Sequence, residues 1–495
     1  MDFHLFSSNS LMEKPKRLRA ALLSSPGLGH LIPVIELSKR LVADHGFEVT
    51  VFVLPSQASG AEAEIIESAV TPKLLDVVEL PPPDLLAAGL SPDAAVVTRL
   101  LVTMREARPA FRSALAAMEA QPDVLIVDLF GTDHLCIGEE LGIPKYVYVP
   151  SNAWFLALFI YSPTLDKKVT GEYVDQTEPL EIPGCKPVRP EDVVDPMLDR
   201  SDQQYCEYVQ QAVKIPMGDG ILLNVWEDLQ AETLAALRNE EFLGWVADGP
   251  VYTVGPLIRP VRPAGLGKEL LEWLNKQPSE SVLFVSFGSG GTMSAEQLVE
   301  LAWGLELSRQ RFVWVLRKPT TKSLDGSFFD AGKVGGREEL LTFLPEEFAV
   351  RTQEVGLILP LWGPQVDILS HPSVGGFLSH CGWNSTLESI VNGVPMIAWP
   401  LYAEQRLNAT LLTEEIGVAI RPKELPSKKI VGREEIEKLV RTILVEKEGH
   451  MMRARVKELK SSAEKALIKE GTSYESLSKM KEDCKMRIHQ IKKAH

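Results

Sequence analysis

An α/β protein of two Rossmann-like domains around an interdomain cleft is the fold this sequence predicts, on three observations. Short apolar runs alternate with helix-period segments through most of the 495 residues. A Pro/Gly-rich passage, GPVYTVGPLIRPVRPAGLG (249–267), interrupts that alternation, and a second series follows it. The length suits about two to three domains of ordinary size.

Residues 1–16 read as a flexible polar lead. Arg19-Ala20-Ala21-Leu22-Leu23 then has the pattern of a buried strand, Ser24–His30 that of a turn, and Ile32, Ile35, Leu37 and Leu41 that of a helix. A strand follows at Val49–Leu54. Strand, glycine turn, helix and strand make the unit of a parallel sheet with right-handed crossovers. Similar runs recur at Val124–Val127 and Ile221–Asn224, giving a first domain over 17–250 and a linker over 251–268. The second domain, 269–475, opens with a strand at Ser281–Phe287 and a helix at Ala295–Leu307, followed by strands at Phe312–Leu316 and Gly356–Leu361. The segment 318–340 has no periodicity and reads as a mobile, variable loop without a role. The tail from Arg453 to Ile491 is charged and helical.

Composition narrows the functional classes. Apolar content of 45% and charged content of 24% are ordinary for a globular protein. A net charge of -15 argues against nucleic acid or an anionic membrane as partner, so any bound phosphate must be held by local geometry. Five scattered cysteines without a CxxC pair fit a reducing compartment. The start MDFHLFSSNSLMEKPKRLRA lacks the apolar run of a signal peptide, and no later segment reaches about 18 unbroken apolar residues. The expected location is cytoplasmic, with the sequons at Asn384 and Asn408 unglycosylated.

Two residues stand out for acid–base chemistry. His30 follows SSPGLG at a helix start, where the dipole disfavours an imidazolium and the ring tends to stay neutral. Glycine at 27 and 29 permits a tight turn and close approach of a ligand. Asp128 ends a strand, at the carboxyl edge where sites of parallel sheets collect. A carboxylate bonded to one ring nitrogen fixes the tautomer and stabilises the cation formed in proton transfer. Taken alone, His30 could be a structural turn residue and Asp128 a helix cap.

The second series carries the denser signal. Phe287-Gly288-Ser289-Gly290-Gly291 lies between strand and helix, so its N–H groups and the Ser289 hydroxyl suit a phosphate, although a sharp turn would read the same way. With phenylalanine at 287 it is not the GxSxG elbow of a hydrolase. The turn at 27–30 likewise lacks the GxGxxG of a nicotinamide-dependent oxidoreductase. From Trp362 to Gln405 the chain runs WGPQVDILSHPSVGGFLSHCGWNSTLESIVNGVPMIAWPLYAEQ. This block reads as turn, helix, strand, glycine-flanked turn, helix, strand and polar pair, with no lysine or arginine. The turn His380–Ser385 opens a helix whose unpaired first N–H groups form an anion site without a cationic side chain.

The block resembles, over its full length, the donor-binding signature of plant family-1 glycosyltransferases, which transfer sugar from UDP-sugars to small lipophilic molecules. The resemblance implies the GT-B architecture, with the last helix (476–495) crossing back onto the N-terminal domain. It implies that His30 and Asp128 are the catalytic dyad. Trp362 would stack on uracil, with the Gly363 backbone and Gln365 on the nucleoside. Glu388 would take the ribose hydroxyls, and a carboxylate accepting two adjacent O–H donors makes chemical sense. His380, Asn384 and Ser385 would face the phosphates and Trp383, Glu404 and Gln405 the sugar hydroxyls, with Gly29, Ser289, Gly290 and Gly382 completing the donor site. Gly363 stands where the family more often has alanine. Gln405, rather than a histidine, points to UDP-glucose.

No permanently bound cofactor is expected, and no metal. The chain has no Asp-x-Asp pair, and the adjacent His380 and Cys381 cannot share an ion. The expected reaction is single displacement with inversion, giving a β-glycoside. The phrases DLFGTD (128–133), IPGC (182–185) and FGSGGT (287–292) look closest to the subgroup acting on monolignols, simple phenolics and flavonoids. Leu129, Phe130, Trp154 and Phe155 are the candidate acceptor walls, and each could equally be core. C-glucosylation of a flavonoid and transfer to a terpenoid remain alternatives, as does an idle binding protein on the same fold. The resemblance suggests a monomer.

Overall fold

The computed structural model describes residues 17–54, 60–71, 74–91, 93–244, 249–261, 265–320 and 337–494. The lead 1–16 and the loop 321–336 lie outside them, so the expectations for both stay where the sequence left them. The final part of the segment 318–340 is helical, in Arg337–Leu341, where Leu340 is buried.

The first sheet contains β1 (Arg19–Leu23), β2 (Glu48–Val53), β3 (Leu75–Glu79), β4 (Val124–Asp128), β5 (Lys145–Val149), β6 (Ile221–Leu223) and β7 (Val251–Thr253). Its order is β3-β2-β1-β4-β5-β6-β7, and every pair is parallel. The second contains β8 (Val282–Ser286), β9 (Arg311–Leu316), β10 (Gly356–Pro360), β11 (Val374–Ser379), β12 (Met396–Ala398) and β13 (Ala419–Ile420), in the parallel order β10-β9-β8-β11-β12-β13. Central strands such as β4 (VLIVD) and β8 (VLFVS) are buried at every position, as expected of strands covered by helices on both faces.

In each sheet the strand order reverses once, between β1 and β4 and between β8 and β11. The crevice outside the carboxyl ends of strands at such a reversal is where parallel α/β sheets bind ligands. His30 follows β1 and Asp128 ends β4, while Gly288 follows β8 and His380 follows β11. Topology alone thus brings the chemistry-bearing residues of both halves to one edge of each sheet.

The stretch expected as linker begins with a strand. Val251–Thr253 adds β7 to the edge of the first sheet, because the side chains of Val251 and Tyr252 are buried there and Tyr252 packs on Tyr146. Strands β3 and β5 had no assignment from sequence.

The helix Thr472–Ala494 lies against the first sheet. Leu477, Met480 and Cys484 join the cluster containing Tyr146, Tyr252 and Val254. Arg487 bonds Asp219 at 2.8 Å, and the Tyr252 hydroxyl donates to Asp483 at 2.6 Å. Buried polar contacts also tie the halves together: Asn152 Nδ2 donates to Asn408 Oδ1 at 2.6 Å, and the Trp226 indole to Ser462 at 2.6 Å. One hydrophobic cluster runs through both, from Val147 and Trp226 to Phe284 and Leu407.

Candidate active site

Between the halves lies a cleft of about 640 Å³, lined by loops from the carboxyl edges of both sheets. On the first side, Gly27 (φ 97°) makes the left-handed turn that starts the helix Leu28–Ala43, and His30 sits in its first turn. His30 Nδ1 is 2.8 Å from Asp128 Oδ2; the carboxylate is fully buried, and the imidazole is 15% exposed. Phe130 packs against the imidazole with centroids 5.2 Å apart. The contact has ion-pair distance without the alignment of a formed hydrogen bond, and a proton held on Nδ1 towards Asp128 leaves Nε2 as the basic nitrogen.

Burial pushes the His30 pKa down, but the adjoining Asp128 carboxylate, with the Glu404 carboxylate behind it, outweighs it and leaves the value raised. This corrects the expectation from the helix start. A full carboxylate at contact distance outweighs the partial charge of a helix end.

On the second side, Trp362 lines the cleft with 48% of its surface open. Gln365 Nε2 donates to Ser385 Oγ at 2.8 Å and to Glu388 Oε2 at 2.7 Å, which orients the Glu388 carboxylate. Burial raises the Glu388 pKa, opposed by nearby Arg259 and by the Gln365 bond. His380 is held between two glycines: a Cβ at Gly288 would lie 2.6 Å from its ring, and one at Gly382 only 2.5 Å from Nε2. Burial, then the Arg317 charge, lowers its pKa to about 4. His380 is therefore a neutral donor or acceptor near pH 7.

The helix Trp383–Asn392 starts at Gly382 and points its first turn into the cleft. Asn384 reaches across the domains, donating from Nδ2 to the Gly29 carbonyl at 3.0 Å. Its Oδ1 has no partner among the described residues. The Trp383 indole N–H donates to the Asn224 carbonyl at 2.9 Å, so this side chain fastens the domains instead of offering its N–H to the cleft. Gln405 Oε1 accepts from the Leu401 and Tyr402 N–H groups at 2.9 and 3.0 Å. Only its amide NH2 remains to meet a ligand.

Gly29, Ser289, Gly363 and Glu404 line the cleft as expected, but Gly290 does not. The turn closes through the Gly291 N–H to the Phe287 carbonyl at 3.2 Å, and only Gly288 and Ser289 reach the cleft. Of the candidate acceptor walls, Leu129, Phe130 and Phe155 line the cleft and Trp154 does not. Successive helix residues point about 100° apart. Trp154 therefore faces the core between the domains, fully buried, with its indole N–H on Glu415 at 3.0 Å.

Sequence reasoning missed Leu100, Val194, Asp195, Phe159 and Tyr208, all of which line the cleft. The i,i+4 spacing of Phe155 and Phe159 was the available signal, and their rings stack at 5.5 Å. Among the described residues no group of three His, Cys, Asp or Glu side chains could hold a metal, and no helix is long and apolar enough to cross a membrane.

Comparison with known proteins decides the lineage of this cleft. The family described as UDP-glucoronosyl and UDP-glucosyl transferase matches residues 251–451. Anthocyanidin 3-O-glucosyltransferase 5 of Manihot esculenta is 58% identical over 471 residues, covering 95% of this chain and 96% of that protein. The chain belongs to the plant family-1 UDP-glycosyltransferases. Two solved structures share its architecture. TcCGT1 in complex with UDP superposes with a TM-score of 0.89 at 50% identity, over 95% of this chain and 100% of that one. Phytolacca americana UGT2, complexed with UDP-2fluoro-glucose and pterostilbene, gives 0.83 at 39% identity over 94% and 99%. For this UDP-glycosyltransferase the family match takes in the whole of Trp362–Gln405 and none of the His30–Asp128 side.

Proposed function

We propose that this UDP-glycosyltransferase transfers glucose from UDP-glucose to a hydroxyl of a small aromatic acceptor, with inversion, using His30 as general base. The observation that carries the proposal is the 2.8 Å contact between His30 Nδ1 and Asp128 Oδ2 at the wall of the cleft. Nε2 of His30 takes the acceptor proton as the oxygen attacks the anomeric carbon from the face opposite UDP. Asp128 stabilises the imidazolium so formed. A single displacement converts the α-linked donor into a β-glycoside and needs no covalent nucleophile.

On the donor side, Trp362 offers a face for the uracil and Glu388, oriented by Gln365, accepts from the ribose hydroxyls. Neutral His380, Ser289 and the helix start after Gly382 surround the diphosphate, whose departing charge is met by N–H groups aimed at it. Glu404 and the Gln405 amide face the hexose. The acceptor class is supported by the aromatic wall of Phe130, Phe155 and Phe159. The names of the Manihot relative and of the Phytolacca ligand, pterostilbene, point the same way. A phenol, with a pKa of about 10, also needs less help from a base near neutrality than an aliphatic alcohol.

The test is incubation of the purified chain with UDP-glucose, without added metal, against phenols, flavonoids and terpenols, with products read by mass spectrometry before and after mild acid. An acid-labile gain of one hexose on a phenol is the expected result. An acid-stable adduct would mean a carbon linkage, and UDP binding without any transfer would favour an idle binder.

A further inference from the structure

We propose that Asp195, carried by the domain opposite the donor block, positions the sugar end of the donor site and makes hexose recognition conditional on the two domains being docked. The inference rests on the reading of Glu404 and Gln405 as the sugar-facing pair.

Those two residues end the loop that leads from β12 into the helix Gln405–Thr410. The residue before them, Ala403, adopts φ 56°, a left-handed conformation that a non-glycine residue holds only when its surroundings impose it. Asp195 imposes it. The Ala403 N–H donates to Asp195 Oδ2 at 2.6 Å, and the Asp195 N–H donates back to the Ala403 carbonyl at 3.1 Å. The other carboxylate oxygen, Oδ1, accepts from Arg406 Nη2, one residue beyond Gln405. Arg406 is buried and also donates from Nε to the Val193 carbonyl at 3.2 Å.

The far end of the same helix is held in the same way. Asp192 Oδ2 accepts from Thr410 Oγ1 at 2.8 Å and from Arg421 Nη2 at 2.9 Å. A single segment of the first domain, 192–195, therefore holds the helix Gln405–Thr410 of the second at both ends. Within its own domain the loop is closed by Gln405 Oε1 on the Leu401 and Tyr402 N–H groups, and that closure sets the direction of the Gln405 amide. With the domains apart, Ala403 loses both of its Asp195 hydrogen bonds and Arg406 loses its counter-charge. The uracil, ribose and phosphate contacts draw on Trp362, Gln365, His380, Ser385 and Glu388 and involve none of these bonds. Docking thus builds the hexose subsite through bonds that the nucleotide subsite does not share, the cross-domain contact at the phosphate end being Asn384 on the Gly29 carbonyl, and Asp195 is a positioning residue.

The test compares UDP with UDP-glucose on the full chain. Calorimetry without acceptor gives the two affinities, and kinetics with a phenolic acceptor give KM and kcat for UDP-glucose and UDP-galactose. The wild-type chain must first transfer glucose; if it does not, the proposed function fails and Asp195 is not at issue. With Asp195→Ala, UDP affinity should stay within about threefold, while KM for UDP-glucose rises about tenfold or more and the preference over UDP-galactose falls towards unity. Asp195→Asn keeps an oxygen that can accept the Ala403 N–H and should recover most of that preference. Should Asp195→Ala fail to fold because Arg406 is left buried and unpaired, the pair Asp195→Leu, Arg406→Met removes both charges and is read identically. An unchanged KM with unchanged preference would overturn the inference. So would equal weakening of UDP and UDP-glucose, which would mean general damage to the cleft.

Discussion

His30 carries a proton more readily than a free histidine because Asp128 faces its Nδ1, and this has a kinetic consequence with a definite sign. As the proposed base His30 must be neutral to act, so kcat/KM should rise with pH through its pKa, which lies above the ordinary 6.5. The same linkage runs through stability. A raised folded pKa favours the fold fully below the unfolded value, and that contribution is lost as pH climbs through the folded one. The chain thus becomes active over the interval in which it gives up that stabilisation. Asp128→Asn removes the charge but leaves the burial that pushes His30 down. Its pH–rate limb should move to lower pH while the plateau falls roughly 10²–10⁴-fold. A limb that stays in place would show that Asp128 does not set the His30 pKa. His30→Ala should lower turnover by a similar factor with UDP affinity intact, read by calorimetry beside the assay.

A second residue-scale prediction concerns the His380 ring. Gly382→Ala would place a methyl 2.5 Å from Nε2, so the ring must leave its slot between Gly288 and Gly382. Overpacking of this kind costs about 1–3 kcal/mol, and the displaced ring should weaken UDP binding by roughly one to two orders of magnitude in a titration. Unchanged affinity would mean that His380 has no part in holding the diphosphate.

Among the elements, legibility followed contiguity. Most of the proposed donor side is one run of chain, and turn, helix, strand, turn, helix and strand came out in the expected order from Trp362 to Ala398. The proposed acceptor side is assembled from distant pieces: the helices Val96–Glu106, Ala153–Lys168 and Gln203–Lys214 and the segment 192–196. Their spacing shows only that each has a buried face. It cannot say which buried residues meet a cavity and which meet core, and that is why Phe155 and Trp154 read alike although only Phe155 lines the cleft. Asp195 escaped for the same reason, since its partners Ala403 and Arg406 lie in the other domain.

Tyr208 shows what such an element contributes. Its ring packs tilted against Phe159, with centroids 4.6 Å apart, and lines the cleft, and its buried hydroxyl finds no partner among the described residues. Burial raises its pKa well above the ordinary value, so it stays a neutral O–H. Tyr208→Phe removes a buried polar atom left unpaired in the free protein and should leave Tm unchanged or slightly higher. An acceptor whose second hydroxyl bonds Tyr208 should then lose about fivefold to tenfold in kcat/KM, while a monohydroxylated one should not. Equal losses for both acceptors would reduce Tyr208 to packing.

At the scale of the whole molecule, the question is whether the two sheets unfold as one body. Chains of this length commonly unfold in stages, domain by domain. Here the interface is built like an interior: Asn152 and Asn408 are both fully buried and bonded to each other, and Trp383 and Trp226 each donate across it. The helix Thr472–Ala494 continues from the second half onto the first sheet. Opening the molecule at the cleft would forfeit these hydrogen bonds and expose the apolar cluster that spans both halves, and that cost couples them. A single thermal transition is therefore expected, reported alike by tryptophans of both halves. UDP at about 100 times its Kd should add about 2.7 kcal/mol to the stability of the whole. Hydrogen exchange should then show added protection in β1 and β4, which UDP does not touch in the proposed pose, as well as in β8 and β11. Asn152→Ser keeps a capping oxygen for the Phe155 N–H, now accepted at 2.9 Å, but its shorter side chain leaves Asn408 Oδ1 without its donor. The loss should be about 1–3 kcal/mol, with the UDP protection of β1 and β4 reduced relative to that of β8 and β11. Protection confined to that half in the wild-type chain would show instead that the domains are independent and that the docked arrangement is only one of their states.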